Sequence, residues 1–146
     1  MSMPLLITIV ILIMIAMLFI LSKLNTSKRS LRKKDRILAT LERLKEHSSS
    51  ENDFERRDTI IRLDNLLAKA LNYRYNNSKT CGENLKKADK IFRRDTYQNL
   101  WDAHKLRNDV VHNNRSISVE ESQDAYHIYK LCIKTVSYTH LRAHET

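Results

Sequence analysis

The residues best suited to chemistry lie in one stretch, Leu100 to Asn114, which reads LWDAHKLRNDVVHNN. Arg107 offers a permanently charged, planar fork for phosphate oxygens. His112 carries an imidazole that titrates near neutrality and can move a proton. Asn108 adds a neutral polar group beside the arginine. Together these types could stabilise negative charge on phosphorus while a proton is transferred. Spacing restrains that reading. Five residues on an ideal helix amount to about 140° of rotation, so Arg107 and His112 do not share a face. They converge only if the helix ends near His112 or if a second subunit completes the site. The structural alternative is that Arg, Asn and His at a helix C-terminus cap carbonyls and answer the macrodipole. In that case Asp64 is the candidate partner that makes Arg107 a buried tie. His104, Asn108 and His112 fall on one stripe, a polar seam suited to a dimer contact. No metal site is expected there. His104 and His112 lie about 12 Å apart along the axis, and no third strong ligand is in register.

The elements that carry this stretch read as helices. The chain of 146 residues has one Gly and one Pro, with 29% charged residues, and sheets with their turns lean on both missing types. Ser27 to Glu46 has helical spacing through Leu31, Ile37, Leu38, Leu41, Leu44 and Lys45. The run His47 to Ser50 ends it, and Ser50 or Asn52 can cap the next helix. That helix carries Phe54, Ile60, Ile61, Leu63, Leu66, Leu67, Ala70 and Leu71 before Asn76-Asn77-Ser78 breaks it. Thr80 to Glu83 is a capping box before a short helix through Ile91. Asp95 to Gln98 opens a helix to about His112. Ser118 to Glu121 is another box, opening a last helix through Ala125, Ile128, Tyr129, Leu131 and Cys132. No clean period-two alternation or internal repeat is visible. The expected fold class is all-α, an N-terminal membrane helix followed by a bundle of four or five helices, with the helical domain itself at residues 51–135. Its core is modest for that size, so dimerisation would help it.

Leu5 to Leu21 is an unbroken apolar run in which Thr8 is the one exception. It spans about 25 Å as a helix, and Pro4, Ser22 and a snorkelling Lys23 extend it toward bilayer thickness. Nothing charged precedes it and no small-residue cleavage site follows, so residues 1–22 read as an uncleaved anchor rather than a signal peptide. Seven bases against Asp35 follow between Lys23 and Arg36, a net of +6 out of +9 for the chain. The positive-inside rule then puts the N-terminus outside and the domain in the cytoplasm, with residues 23–50 as a basic juxtamembrane stalk. The rest of the domain is close to neutral, which weakens any argument from charge to nucleic acid. Lys86, Lys87, Lys90, Arg93 and Arg94 read as a solvated face. Cys81 and Cys132 read as free thiols of a reducing compartment. Trp101 and Leu100 read as core.

In order, DTIIRLDNLLAKALNYR, TCGENLKKADKIF, LWDAHKLRNDVVHN and SVEESQDAYHIY resemble HEPN-type helical domains, above all those of small bacterial membrane-anchored proteins. The resemblance spans Asp58 to Thr135, and its specific part is the Arg-Asn-x-x-x-His string, Arg107 to His112. It implies a helical homodimer. In catalytic members it implies metal-independent RNA cleavage, with Arg107 and His112 as the catalytic pair and Asn108 in support. Many HEPN-like domains keep the motif without cleavage. The leading expectation is therefore a membrane-tethered cytoplasmic interaction domain, homodimeric, with the bilayer and a protein as its partners. The alternative is a membrane-associated ribonuclease, with RNA as its substrate. No cofactor and no metal is expected on either reading. A second resemblance concerns the last eleven residues: VSYTHLRAHET, Val136 to Thr146, is similar to translated sequencing-adapter DNA. It implies that the native chain departs from this one after about Thr135, and it removes His140 and His144 from the candidate residues.

Overall fold

The computed structural model describes residues 2–145, with side chains placed through Thr139. Among the described residues there are five helices and no strand: α1 (Met3–Ser48), α2 (Asp53–Tyr75), α3 (Cys81–Leu85), α4 (Arg94–Asn113) and α5 (Val119–Glu145). The chain divides into two compact units, Met1–Arg36 and Ile37–Thr146.

The first unit is helical from Met3 onward. Its apolar stretch is long enough to cross a membrane, and none of it is buried within the protein. Leu12, Met14, Leu18, Phe19 and Ile20 all stand exposed, which makes this stretch a candidate membrane span.

The second unit is a helical bundle with α2 at its centre, packed against α3, α4 and α5, while α4 also packs on α5. Ile60, Leu63, Leu67 and Leu71 supply the buried stripe of α2, meeting Leu100 and Val110 of α4 and Tyr126, Tyr129 and Ile133 of α5. Residues 37–48 of α1 belong to this unit. Ile37, Leu41 and Leu44 lie in the core, Tyr126 Oη donates to the Leu41 carbonyl at 3.2 Å, and Lys130 approaches Glu42 at 3.7 Å. The second half of the segment read from sequence as stalk is thus one wall of the bundle.

Local chemistry sets the helix ends. Asn52 Oδ1 accepts from the Phe54 amide at the start of α2, and Asn76 closes that helix in the left-handed region at φ 48°, a conformation asparagine tolerates better than most residues. Both boxes read from sequence form. Thr80 and Glu83 cap α3 reciprocally, while Glu121 N bonds Ser118 Oγ and Ser118 N bonds Glu121 Oε2 at the start of α5. The short helix at Cys81 ends earlier than Ile91, because residues 86–92 pass into turns closed by three-residue hydrogen bonds such as Ile91 N to Ala88 O. Asp95 caps nothing across the first turn of α4; its carboxylate accepts from the adjacent Thr96 amide.

Two polar ties hold the connections. Buried Arg56 donates to the carbonyls of Ile117 and Ser50 at 2.8 and 2.7 Å, and Asp53 accepts from the Ile117 amide at 2.8 Å. These bonds fix the α4–α5 loop to the start of α2. At the other end Asn84, fully buried, donates to Asn72 at 2.7 Å and to Asn77 at 3.0 Å, locking α3 onto the end of α2. Helix α5 runs on through the adapter-like segment: Val136 is buried and Thr139 accepts from Arg74 at 2.7 Å.

Candidate functional site

Asp64 occupies the middle of α2 on its core-facing side, and its side chain is 2% exposed. A carboxylate taken out of water needs several donors to remain ionised. Three helices supply them. His104 of α4 places Nδ1 at 2.8 Å from Asp64 Oδ1. Tyr129 of α5 donates its hydroxyl to the same oxygen at 2.9 Å, and the Cys81 thiol at the start of α3 donates to it at 3.6 Å. An ionised carboxylate only accepts, so this contact is a hydrogen bond when the His104 proton sits on Nδ1. Arg107 Nε approaches the other oxygen, Oδ2, at 3.7 Å, too long for a hydrogen bond but close enough for direct charge attraction.

The surroundings suppress ionisation of the neighbours. Burial, and then the negative charge of Asp64, push the Cys81 thiol far above its ordinary range. The same two causes raise the Tyr129 phenol. Neither residue therefore offers an anion at neutral pH unless another cation arrives. His104 is wedged between an edge-on contact with Trp101, at 5.7 Å between ring centres, and Gly82. A Cβ placed on that glycine would stand 3.4 Å from His104 Nε2. A Cβ at position 82 would thus sit against the imidazole at the near edge of ordinary contact.

The residues singled out from the sequence are distributed unequally around this centre. Arg107 is turned toward Asp64 with 26% of its side chain exposed, and its Nη1 donates to Asn108 Oδ1 at 3.0 Å. Its Nε is buried without a hydrogen-bond partner. His112, on the last turn of α4, stands exposed. Within one chain, then, Arg107, Asn108 and Asp64 are brought together and His112 is not among them. The seam of His104, Asn108 and His112 runs from interior to surface rather than lying on one exposed stripe.

Cys81 and Tyr129 were the participants that sequence reasoning missed. Cys81 read as an unremarkable thiol inside a capping box, and Tyr129 as one apolar member of a helical stripe. A lone Asp at a core-facing position of α2 was the available signal, since such a group demands buried donors. The side chains of His140 and His144 lie outside the described residues. No family model, no curated protein and no solved structure matches this chain.

Proposed function

We propose that the protein is a single-pass, membrane-tethered HEPN-like helical domain that acts by binding, as a homodimer and with a protein partner, rather than by catalysis. The observation that carries this reading is the placement of Arg107. Its guanidinium is engaged at buried Asp64, whereas His112 stands on the exposed last turn of the same helix. An arginine drawn into the bundle by a carboxylate serves packing before it serves a substrate. Surface composition adds support. Val111 of α4 and Leu131 of α5 are exposed apolar residues, and a groove between those helices sets Ala103, Leu106, Ala125 and Ile128 among polar residues that include Asp102, Glu121 and Asp124. The basic flank, Lys23 to Arg36, supports an orientation with the domain on the cytoplasmic side and the N-terminus outside.

The test is sedimentation of the full chain in detergent micelles, together with incubation with mixed RNAs. The expected result is a dimer and no cleavage. A monomer at high concentration removes the dimer. RNA cleavage that disappears in His112→Ala replaces the binding reading with the ribonuclease reading. That second reading has its own observation: the exposed His112 and the partly accessible Arg107 leave room for a second copy to complete a site across a dimer.

A further inference from the structure

The donors around Asp64 have another property. Cys81, Asp64 and His104 come from α3, α2 and α4, and their sulfur, oxygen and nitrogen atoms all lie within 4.8 Å of one another. We propose that Asp64, Cys81 and His104 bind one divalent cation of the zinc class, which joins the short α3 to the two long helices. The inference stands apart from the binding and ribonuclease readings, neither of which uses a metal.

Chemistry selects the cation. One thiolate, one imidazole and one carboxylate form the mixed sulfur, nitrogen and oxygen set that zinc accepts, whereas magnesium and calcium prefer all-oxygen shells. Spacing is suitable. Ligand atoms about 2.0–2.3 Å from a tetrahedral ion stand roughly 3.2–3.7 Å from each other. Cys81 Sγ to Asp64 Oδ1 is already 3.6 Å, and the His104–Asp64 pair, at 2.8 Å, has only to open slightly. The supporting groups match what surrounds a bound ion, where ligating carboxylates are themselves held by outer partners. Tyr129 donates to Asp64 Oδ1 and Arg107 faces Oδ2, so each carboxylate oxygen already has an outer partner.

The protons balance. The arriving ion displaces the proton of the Cys81 thiol to water, and the sulfur lone pair forms the metal bond. His104 keeps one proton but moves it from Nδ1 to Nε2, which frees the Nδ1 lone pair. Two positive charges then meet the thiolate and the carboxylate, and a water takes the fourth position. Burial opposes a bare thiolate at Cys81, and the cation is what makes that thiolate tolerable.

The structural consequence is specific. Helix α3 is five residues long, too short to persist on its own. It is tied to α2 by the Asn84 bonds at one end and by this cluster at the other. An ion here would set the position of His104 and, through Asp64, that of Arg107.

The experiment uses the full chain in detergent micelles, stripped by chelator and titrated with Co²⁺ and then Zn²⁺ alone. The expected result is one equivalent of Co²⁺ giving tetrahedral visible bands and a near-ultraviolet thiolate-to-cobalt band, all displaced by Zn²⁺. Cys81→Ser and His104→Gln abolish the charge-transfer band or the tetrahedral bands, Cys132→Ser leaves both, and Tyr129→Phe weakens affinity about 10- to 100-fold. A wild-type chain that retains no stoichiometric Zn²⁺ and shows no sulfur band overturns the proposal without recourse to any variant. So does a sulfur band that survives Cys81→Ser or disappears with Cys132→Ser. Circular dichroism of each variant confirms that it is folded, and Cys81→Ala takes the place of Cys81→Ser if the serine variant is not.

Discussion

His104 Nδ1 and Asp64 Oδ1 are 2.8 Å apart although forty residues separate them. This contact joins α2 to α4 at the point where the candidate motif leaves the core. The carboxylate is buried and shared, since Tyr129 and Cys81 donate to the same oxygen. Asp64→Ala is expected to destabilise the bundle by about 3–5 kcal/mol, because it leaves three donors without their acceptor and Arg107 without the charge it faces. Asp64→Asn keeps one carbonyl acceptor and is expected to cost less. Thermal unfolding followed by circular dichroism gives the order, and an Asp64→Ala chain as stable as wild type would show that the cluster holds nothing together.

The two halves of the Arg107/His112 motif are expected to separate in their effect on folding. His112 is exposed, so His112→Ala should alter stability by less than about 0.5 kcal/mol. Arg107→Ala removes the charge facing Asp64 Oδ2 and should cost about 1–3 kcal/mol. Equal effects of the two substitutions would contradict the placement of Arg107 against Asp64.

The start of the bundle can be located by leucine truncation along α1. Leu41 is fully buried and Leu31 is exposed. Leu41→Ala should therefore cost about 2–5 kcal/mol through lost burial and the cavity left behind. Leu31→Ala should be close to neutral in the same unfolding measurement. A neutral Leu41→Ala would return residues 37–48 to the stalk.

Alkaline pH provides a further prediction. Burial pushes the Cys132 thiol from its ordinary 9.0 up to about 12. Below pH 9.0 the thiol is protonated in both the folded and the unfolded chain, and its contribution to stability is complete. As pH rises from there toward about 12, the unfolded chain releases the proton first, so the contribution is progressively lost. Stability measured from pH 8 to 11 should fall, and more steeply in wild type than in Cys132→Ala. Identical slopes would mean that the thiol is already free to ionise in the fold. The same protection predicts slow reaction of Cys132 with thiol reagents until the chain is denatured.

How much of this was legible in advance follows from the range of each interaction. The number of helices, the two capping boxes at Thr80 and Ser118, the asparagine at the start of α2 and the long apolar run at the N-terminus are properties of residues within a turn or two of each other. One-dimensional reading reaches them because helical periodicity and capping are local physics. The Leu41 and Leu44 stripe was visible too, but a stripe states only that a face will be covered, not by what. Helix α5 reaches this segment, with Tyr126 bonded to the Leu41 carbonyl and Lys130 beside Glu42.

The Arg107 to His112 motif shows the limit most clearly. Its sequence alone determined that the residues occupy one helix and that Arg107 and His112 point in different directions, and it offered Asp64 as a candidate partner for the arginine. It could not determine that Cys81, His104 and Tyr129 would gather on Asp64 Oδ1, because they lie 17, 40 and 65 residues from it. Their meeting depends on the register and rotation of four packed helices, and core packing sets both. The tertiary structure therefore decided which side of the motif is buried and which groups face it there.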